Sequence, residues 1–586
     1  MTISKQLTPA CLARSISGAL VLLLATLAGS CTSVAPPAAQ SPESPIKQLS
    51  ADERWDALVD GFLHDYFEQV PSAGVRAGRH QYDGRIPDLS ATGTASRVAA
   101  FKQHQRAADE FSIIDLSRDR QFEREVMIWY LGRQLFWLEV AQRPKHNPMY
   151  FRGAIDPSTY LSSEYAPLAV RMAALTQLLQ AVPSALEQIR SQLDEQIAAS
   201  FLKRSISYYG GLARHLESTV DELFSETGSA DERQRLQQNN GAAISALRAF
   251  ESELRALESA AHDEFALGAE LFARMLLDTE MVGVPLAELK TRGAADLARN
   301  LQALKGVCAG DLQTPDLPAC MALAEKQKSL DPVARGAQQL QDLKQFVVDH
   351  DLVTIPSKAE ALVKQSPPYN RANLAYIRSP GPFEPNSLPS IYYISPPDPT
   401  WSEEVQRAFV PNEGRLLYVS VHEVWPGHFL WGQHRNRAKR PLVRLFRSTT
   451  ASEGWAHYAE EMMHDAGLGD ADSLLHVGQL ANALKRNVRY LSAIGLHTEG
   501  MTLAQSQAMF LEQGMLDLGN ARQQAARGTY DPSYLSYTLG KLQIMDLREA
   551  WLAEDDERTL KQFHDTLLSY GGAPITLVRR YMLGAP

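Results

Sequence analysis

Apolar residues recur three and four apart along most of this chain. Trp55, Leu58, Val59, Phe62, Leu63, Tyr66 and Phe67 trace one helical face. Ser50 and Glu53 stand where a reciprocal capping box would start that helix. The same period predicts helices over 122–140, 168–181, 184–219 and 241–260, and again from Ala471 onwards. Their aromatic and leucine stripes are assigned to the core. Extended chain is scarce. The best candidate is 390–394, Ser-Ile-Tyr-Tyr-Ile, bounded by Pro389 and Pro396. As an isolated strand it could receive an extended peptide as its neighbour, and a short structural ribbon fits equally well. No repeat of fixed period is present. The expected fold class is mainly α: a large helical body with a short β ribbon near the candidate site.

That candidate site lies just beyond the apolar run Leu416 to Val421, which reads as a buried helix. The run leads into His422-Glu423-Val424-Trp425-Pro426-Gly427-His428, and ionisable groups at the end of a buried helix need partners. In the H-E-x-x-H motif the histidines are four apart, so both face one metal ion, and the intervening Glu is a general base. Here they are six apart, which leaves the second side chain about 120° around a regular helix from the first. Pro426 cannot donate to the His422 carbonyl and Gly427 tolerates unusual backbone angles, so a bulge over 424–427 is expected to return His428 to the side of His422.

Glu453 is the candidate third ligand, 25 residues beyond His428 at the start of a predicted helix over 452–466 that Gly467 stops. The basic, turn-rich stretch 433–441 would reverse the chain between them. One zinc ion on His422, His428 and Glu453 would keep an open coordination position, with Glu423 as base toward a metal-activated water. His457, on the same helical face as Glu453, is a rival ligand. The bland reading makes the His-Glu pair a surface hydrogen bond and Glu453 a charge on a helix N-terminus.

Further along, Arg486 and Arg489 fall on a helix expected to end at Gly495, and His497 follows its cap. Thr502 with Gln505 caps the next helix, and Tyr534, Tyr537, Gly540, Lys541 and Arg548 crowd one short stretch. A tyrosine hydroxyl, Tyr537 above all, could stabilise an oxyanion. Arg486, Arg489, His497 and Lys541, with Tyr393 from the strand, are the candidate substrate-binding residues.

The chain's net charge is −10, with no Lys/Arg cluster interleaved with aromatics, which argues against a nucleic-acid partner. Lys5 and Arg14 precede an apolar run, Gly18 to Gly29, of signal-peptide length, which ends Leu27-Ala28-Gly29-Ser30-Cys31 like a bacterial lipobox. Residues 1–30 are therefore expected to be a signal peptide, Cys31 the lipidated residue, and the Pro/Ala/Ser-rich stretch up to residue 49 a tether. That predicts an exported, periplasmic protein that meets the membrane through its lipid alone. In that compartment Cys308 and Cys320 are expected to pair as a disulfide. An N-terminal helical part, 50–360, and a C-terminal one carrying the metal motif, 361–586, would form one continuous catalytic unit.

These residues also resemble the bacterial family DUF885, a domain of unknown function. The likeness runs through Val70-Pro71, Gly78 to Arg85, Pro87-Asp88, the H-E-x-x-P-G-H run, Glu453-Gly454-Trp455-Ala456-His457-Tyr458-Ala459-Glu460, Arg486 to His497, Tyr537 to Arg548 and Gly571-Gly572-Ala573-Pro574. It implies a helical fold similar to gluzincin-type zinc peptidases, with Glu453 as third ligand. Ala493 stands where the family often has Asp, a departure that bears on His497. The function expected is zinc-dependent hydrolysis of peptide bonds in short peptides. The alternatives are a non-catalytic periplasmic binding or scaffold lipoprotein, and a metal hydrolase of a non-peptide amide or ester.

Overall fold

The first helix starts as its cap predicts. Ser50 Oγ accepts from the Glu53 amide and the Glu53 carboxylate accepts from the Ser50 amide at 2.8 Å, opening Ala51–Gln69. The computed structural model describes residues 49–367, 374–397 and 401–584, and the fold is mainly α. The expected signal segment, Cys31 and the tether as far as Gln48 lie outside the described residues. From Leu49 the chain forms one compact unit, and its larger core draws on residues from Trp55 to Val578. No described helix is long and apolar enough to cross a membrane.

Several helix boundaries differ from the periodicity. Leu168–Gln192 runs straight through Pro183. The proline removes one amide donor, but Leu178, Leu179, Val182, Leu186 and Ile189 continue a single buried face, and that packing outweighs the lost bond. The break falls later, before Ala199–Phe224. Ala230–Ala256 starts ahead of its apolar stripe at a second capping box, Ser229 with Glu232. Ser473–Thr498 passes Gly495, which is a notch for Met501 and not a stop: a Cβ there would meet the Met501 side chain at 2.4 Å. His497 therefore sits inside that helix and does not follow its cap.

The expected isolated strand is the centre of a small sheet. β1 (Ala361–Gln365), β2 (Ala375–Arg378) and β3 (Ser390–Ile394) are ordered β1-β3-β2, with β1 parallel and β2 antiparallel to β3. Both edges of β3 are taken, so no peptide can add to it. The outer edge of β2 is paired with no described strand. A buried chain of hydroxyls, Tyr392 to Ser420 at 3.2 Å and Ser420 to Gln339 at 3.0 Å, fastens β3 and the helix Pro332–Asp349 to Glu413–Glu423.

Glycine pairs set the crossings of the site helices. Gly454 on Thr449–Asp465 meets Gly540 on Ser536–Leu552 so closely that a Cβ at either position would lie under 3 Å from the other helix's backbone. Gly478 meets Gly414 in the same way, seating Ser473–Thr498 on Glu413–Glu423. Beside the first crossing lies a buried ionic cluster: Lys541 Nζ donates to Asp296 at 3.0 Å and to Glu461 at 2.9 Å, and Arg299 bonds the same two carboxylates. Cys308 and Cys320 form the expected disulfide, joining Leu286–Ala309 to Leu317–Ala324.

Lys541→Ala leaves Asp296 and Glu461 to Arg299 as their one remaining cation and is expected to destabilise the fold by about 1–3 kcal/mol, read from denaturant unfolding. Burial opposes the Glu461 charge, but Arg299 and Lys541 outweigh it and bring the carboxyl down to about 2 from its usual 4.5. Its contribution to stability is therefore complete above pH 4.5 and is lost as the pH falls toward 2. Acid unfolding of Glu461→Gln should lack that component.

Candidate metal centre

The helix Glu413–Glu423 starts at Asn412, whose side chain accepts from the Arg415 amide, and carries Leu416, Tyr418, Val419 and Val421 into the core before ending at His422 and Glu423. The helix then breaks, where a bulge within one continuous helix was expected. Val424 leaves helical geometry (φ −124°, ψ −74°), the Trp425–Pro426 peptide is cis, and a new helix, His428–Arg435, begins after Gly427. Gly427 N–H donates to the Val421 carbonyl at 2.9 Å. A Cβ at 427 would lie 1.8 Å from the His422 carbonyl oxygen, so the return is open only to glycine. The obstacle there is the His422 carbonyl, and what glycine supplies is absence of bulk.

A second element holds the turn from below. Trp455 Nε1 donates to the Pro426 carbonyl at 2.9 Å. Its helix, Thr449–Asp465, is capped by Ser448, and the buried Glu280 accepts from the hydroxyls of Ser448 (2.6 Å) and Thr450 (2.8 Å). Glu453 follows one turn later and reaches both histidines: its Oε2 lies 3.5 Å from His422 Nε2 and 3.4 Å from His428 Nε2. Among the described residues these three form the one cluster of His, Cys, Asp or Glu able to hold a metal ion.

The donor set fits zinc. Ligand bonds of 2.0–2.2 Å in a tetrahedron put neighbouring donor atoms about 3.4 Å apart, the separation Glu453 Oε2 has from each histidine, and all three donor atoms lie within 4.8 Å of one another. His422 Nδ1–H donates to Glu460 at 2.7 Å, since a carboxylate can only accept, and this aims Nε2 at the site. Arg486 donates to the other Glu460 oxygen at 2.7 Å. Burial disfavours charge on Glu460, but Arg486 and His422 prevail and hold its carboxyl low. In Glu453, too, burial is overcome by His428 and His422, which hold the carboxyl well below its usual range. Glu423 goes the other way. Burial pushes it up to about 7, with Glu453 adding to the effect and His428 opposing it. The Ile377 amide of β2 donates to its Oε2 at 3.1 Å.

These groups open on a cavity of about 1520 Å³. His422, Glu423, His428, Glu453, Arg486, Arg489 and Tyr537 all line it. The Tyr537 ring lies near His422 (centroids 6.1 Å) and under the Arg489 guanidinium. Burial raises the Tyr537 hydroxyl, and Glu453 raises it further, so it stays protonated. Three predicted substrate-binding residues fall elsewhere. Lys541 is spent in the ionic cluster, His497 bonds the Gly528 carbonyl at 2.8 Å and stacks on Phe272, and Tyr393 lies behind Tyr376, which lines the cavity in its place. Arg486 is committed to Glu460, so it orients His422 and has little left for a ligand. His457 is fully buried and outside the cluster, which removes it as a ligand. Glu460 and Glu280 escaped the sequence reading. Glu460 had a signal, since it lies seven residues after Glu453 on one helical face; Glu280 is distant in sequence and had none.

Residues 71–582 match the family described as bacterial protein of unknown function, DUF885. The chain belongs to DUF885. Two solved structures resemble this DUF885 protein over nearly their whole length. A candidate lipoprotein of unknown function from Shewanella oneidensis aligns with TM-score 0.74 and 20% identity, over 90% of this chain and 99% of its own. Another candidate lipoprotein, from Colwellia psychrerythraea, aligns with TM-score 0.77 and 17% identity, over 92% and 99%. At such identities the likeness is one of fold. No curated protein matches the DUF885 chain.

Glu460→Gln keeps the shape but takes the carboxylate from His422 Nδ1. Zinc affinity, measured by competition with a chromophoric chelator, should fall about 10- to 100-fold.

Proposed function

We propose that this DUF885 protein is a zinc-dependent hydrolase of peptide bonds in short peptides, exported and held to a membrane through lipid on Cys31. The observation that carries the reading is the convergence of His422, His428 and Glu453, whose donor atoms lie within 4.8 Å of one another, with the Glu423 carboxylate beside them on the cavity wall. Zinc bound there would supply Lewis acidity toward a carbonyl and make water a better proton donor. Glu423, aimed by the Ile377 amide, accepts the proton of the attacking water and returns it to the leaving amine. Tyr537 donates toward the oxyanion that develops on the substrate carbonyl.

The outer edge of β2 supports a peptide as substrate. Leu374 to Ser379 line the cavity, and the antiparallel register with β3 turns the backbone groups of Ala375 and the Ile377 carbonyl outward, where an extended main chain can pair with them, the Ile377 amide being held by Glu423. A cavity enclosed by helices suits short peptides better than folded proteins. The disulfide fits an oxidising compartment, and the two similar structures are themselves described as candidate lipoproteins.

Purified full-length protein should contain one zinc per chain by elemental analysis and cleave members of a short-peptide library. Glu423→Gln should retain the metal and lose about 100-fold or more of turnover. Loss of metal in that variant would make Glu423 a ligand. Cleavage of cell-wall amides or esters with peptides untouched would favour the non-peptide hydrolase. Protein without metal, indifferent to chelators and inert to every substrate, would leave a binding module.

A further inference from the structure

The chain as a whole is acidic, with net charge −10, but its cavity has the opposite sign. Twelve Lys and Arg side chains line it against five Asp and Glu, and two of those five are Glu423 and Glu453. Some of the cations are neutralised locally: Lys328 by Glu325, Arg527 by Asp531, Arg486 by Glu460. Two groups are not.

The first group adjoins His428. Arg435 lies seven residues further along the same helix, about 10 Å up its axis and on the cavity side, with Arg447 beside it. No described carboxylate pairs with either, and Arg435 Nε has no hydrogen-bond partner. Burial brings the Arg435 guanidinium down to about 9, and the charge of Arg447 adds to the effect. The second group adjoins His422. Arg415 lies seven residues before it on the cavity face, alongside Lys485 and Arg489. Lys485 reaches only Asn482 Oδ1, at 3.5 Å, and Arg415 Nε is likewise unbonded. Burial, then the charges of Arg486, Arg489 and Arg415, pull Lys485 well below the usual lysine range. Arg415 stands near the start of Glu413–Glu423 and Arg435 at the end of His428–Arg435, so the two groups lie at the ends of these helices away from His422 and His428, where the helices meet.

Like charges crowded into a recess without counter-ions weaken a fold, and a ligand of opposite charge is what makes such a recess useful. Guanidinium forks match carboxylates in particular. Resting on the reading of the site as a metal centre, we infer that the cavity selects short peptides bearing carboxylates on both sides of that centre, one toward Arg435 and Arg447, the other toward Arg415 and Lys485.

The test uses zinc-loaded Glu423→Gln protein and calorimetric titration with peptide pairs that differ only in Glu or Gln at one position. The Glu member should bind about 10- to 100-fold tighter at positions on each side, and the gap should shrink as salt rises. Arg435→Gln and Lys485→Gln should each erase the preference on one side. Each should also raise the thermal midpoint of the ligand-free protein, whereas a cation with a purely structural role would lower it. Should a variant fail to fold, the paired peptides on the parent protein still decide. Equal binding of Glu and Gln peptides overturns the inference, as does displacement of acidic peptides by millimolar inorganic phosphate with no carboxylate preference. Charge-selective binding by a wild-type protein that cleaves nothing would uphold it and overturn the hydrolase reading. Cleavage without charge preference would do the reverse.

Discussion

Two imidazoles six residues apart can face one point only if the backbone between them doubles back, and the whole site depends on that return. It is possible because position 427 carries no side chain: the His422 carbonyl occupies the place a Cβ would take. A return so tight is only as reliable as what surrounds it. The Trp455 indole ties the Pro426 carbonyl to the helix that bears Glu453, so the third donor and the turn are fixed by one side chain and its neighbour two positions away. Gly454, between them, lets that helix press against Ser536–Leu552, which brings Tyr537 to the cavity wall. The Glu-Gly-Trp triplet thus serves three contacts at once.

The parts legible in the sequence were those whose cause is local. The Ser50 cap, the strand 390–394, the Thr502 cap and the helix carrying Glu453 all follow from residues within a few positions of one another. The convergence of His422, His428 and Glu453 could also be read, because the distance between the histidines posed a geometric problem that Pro426 and Gly427 visibly answered. The form of that answer could not, since a bulge and a break need the same residues and differ only in where the next helix packs. Pro183 and Gly495 misled for a related reason. Each is a helix breaker in isolation, and each is overruled by a buried face or a methionine that only the folded chain supplies.

The charged residues downstream were the least legible. Arg486, Arg489, His497 and Lys541 look alike in sequence, as polar groups on apolar helices. Their fates depend on partners far away: Glu460 for Arg486, Asp296 for Lys541, Gly528 for His497. Composition hid the cavity's sign as well. An acidic total conceals a basic interior when the acids are on the outside, and only the lining residues reveal it.

The bond from the Ile377 amide to Glu423 has a consequence for how such a protein could diversify. One short strand both aims the Glu423 carboxylate and offers the edge along which a main chain would lie. A change in residues 374–379 that retuned the register of a guest would disturb the aim of Glu423 as well. Selectivity is therefore freer to drift at the far ends of the cavity, where side chains can be exchanged without moving that strand, than at its middle.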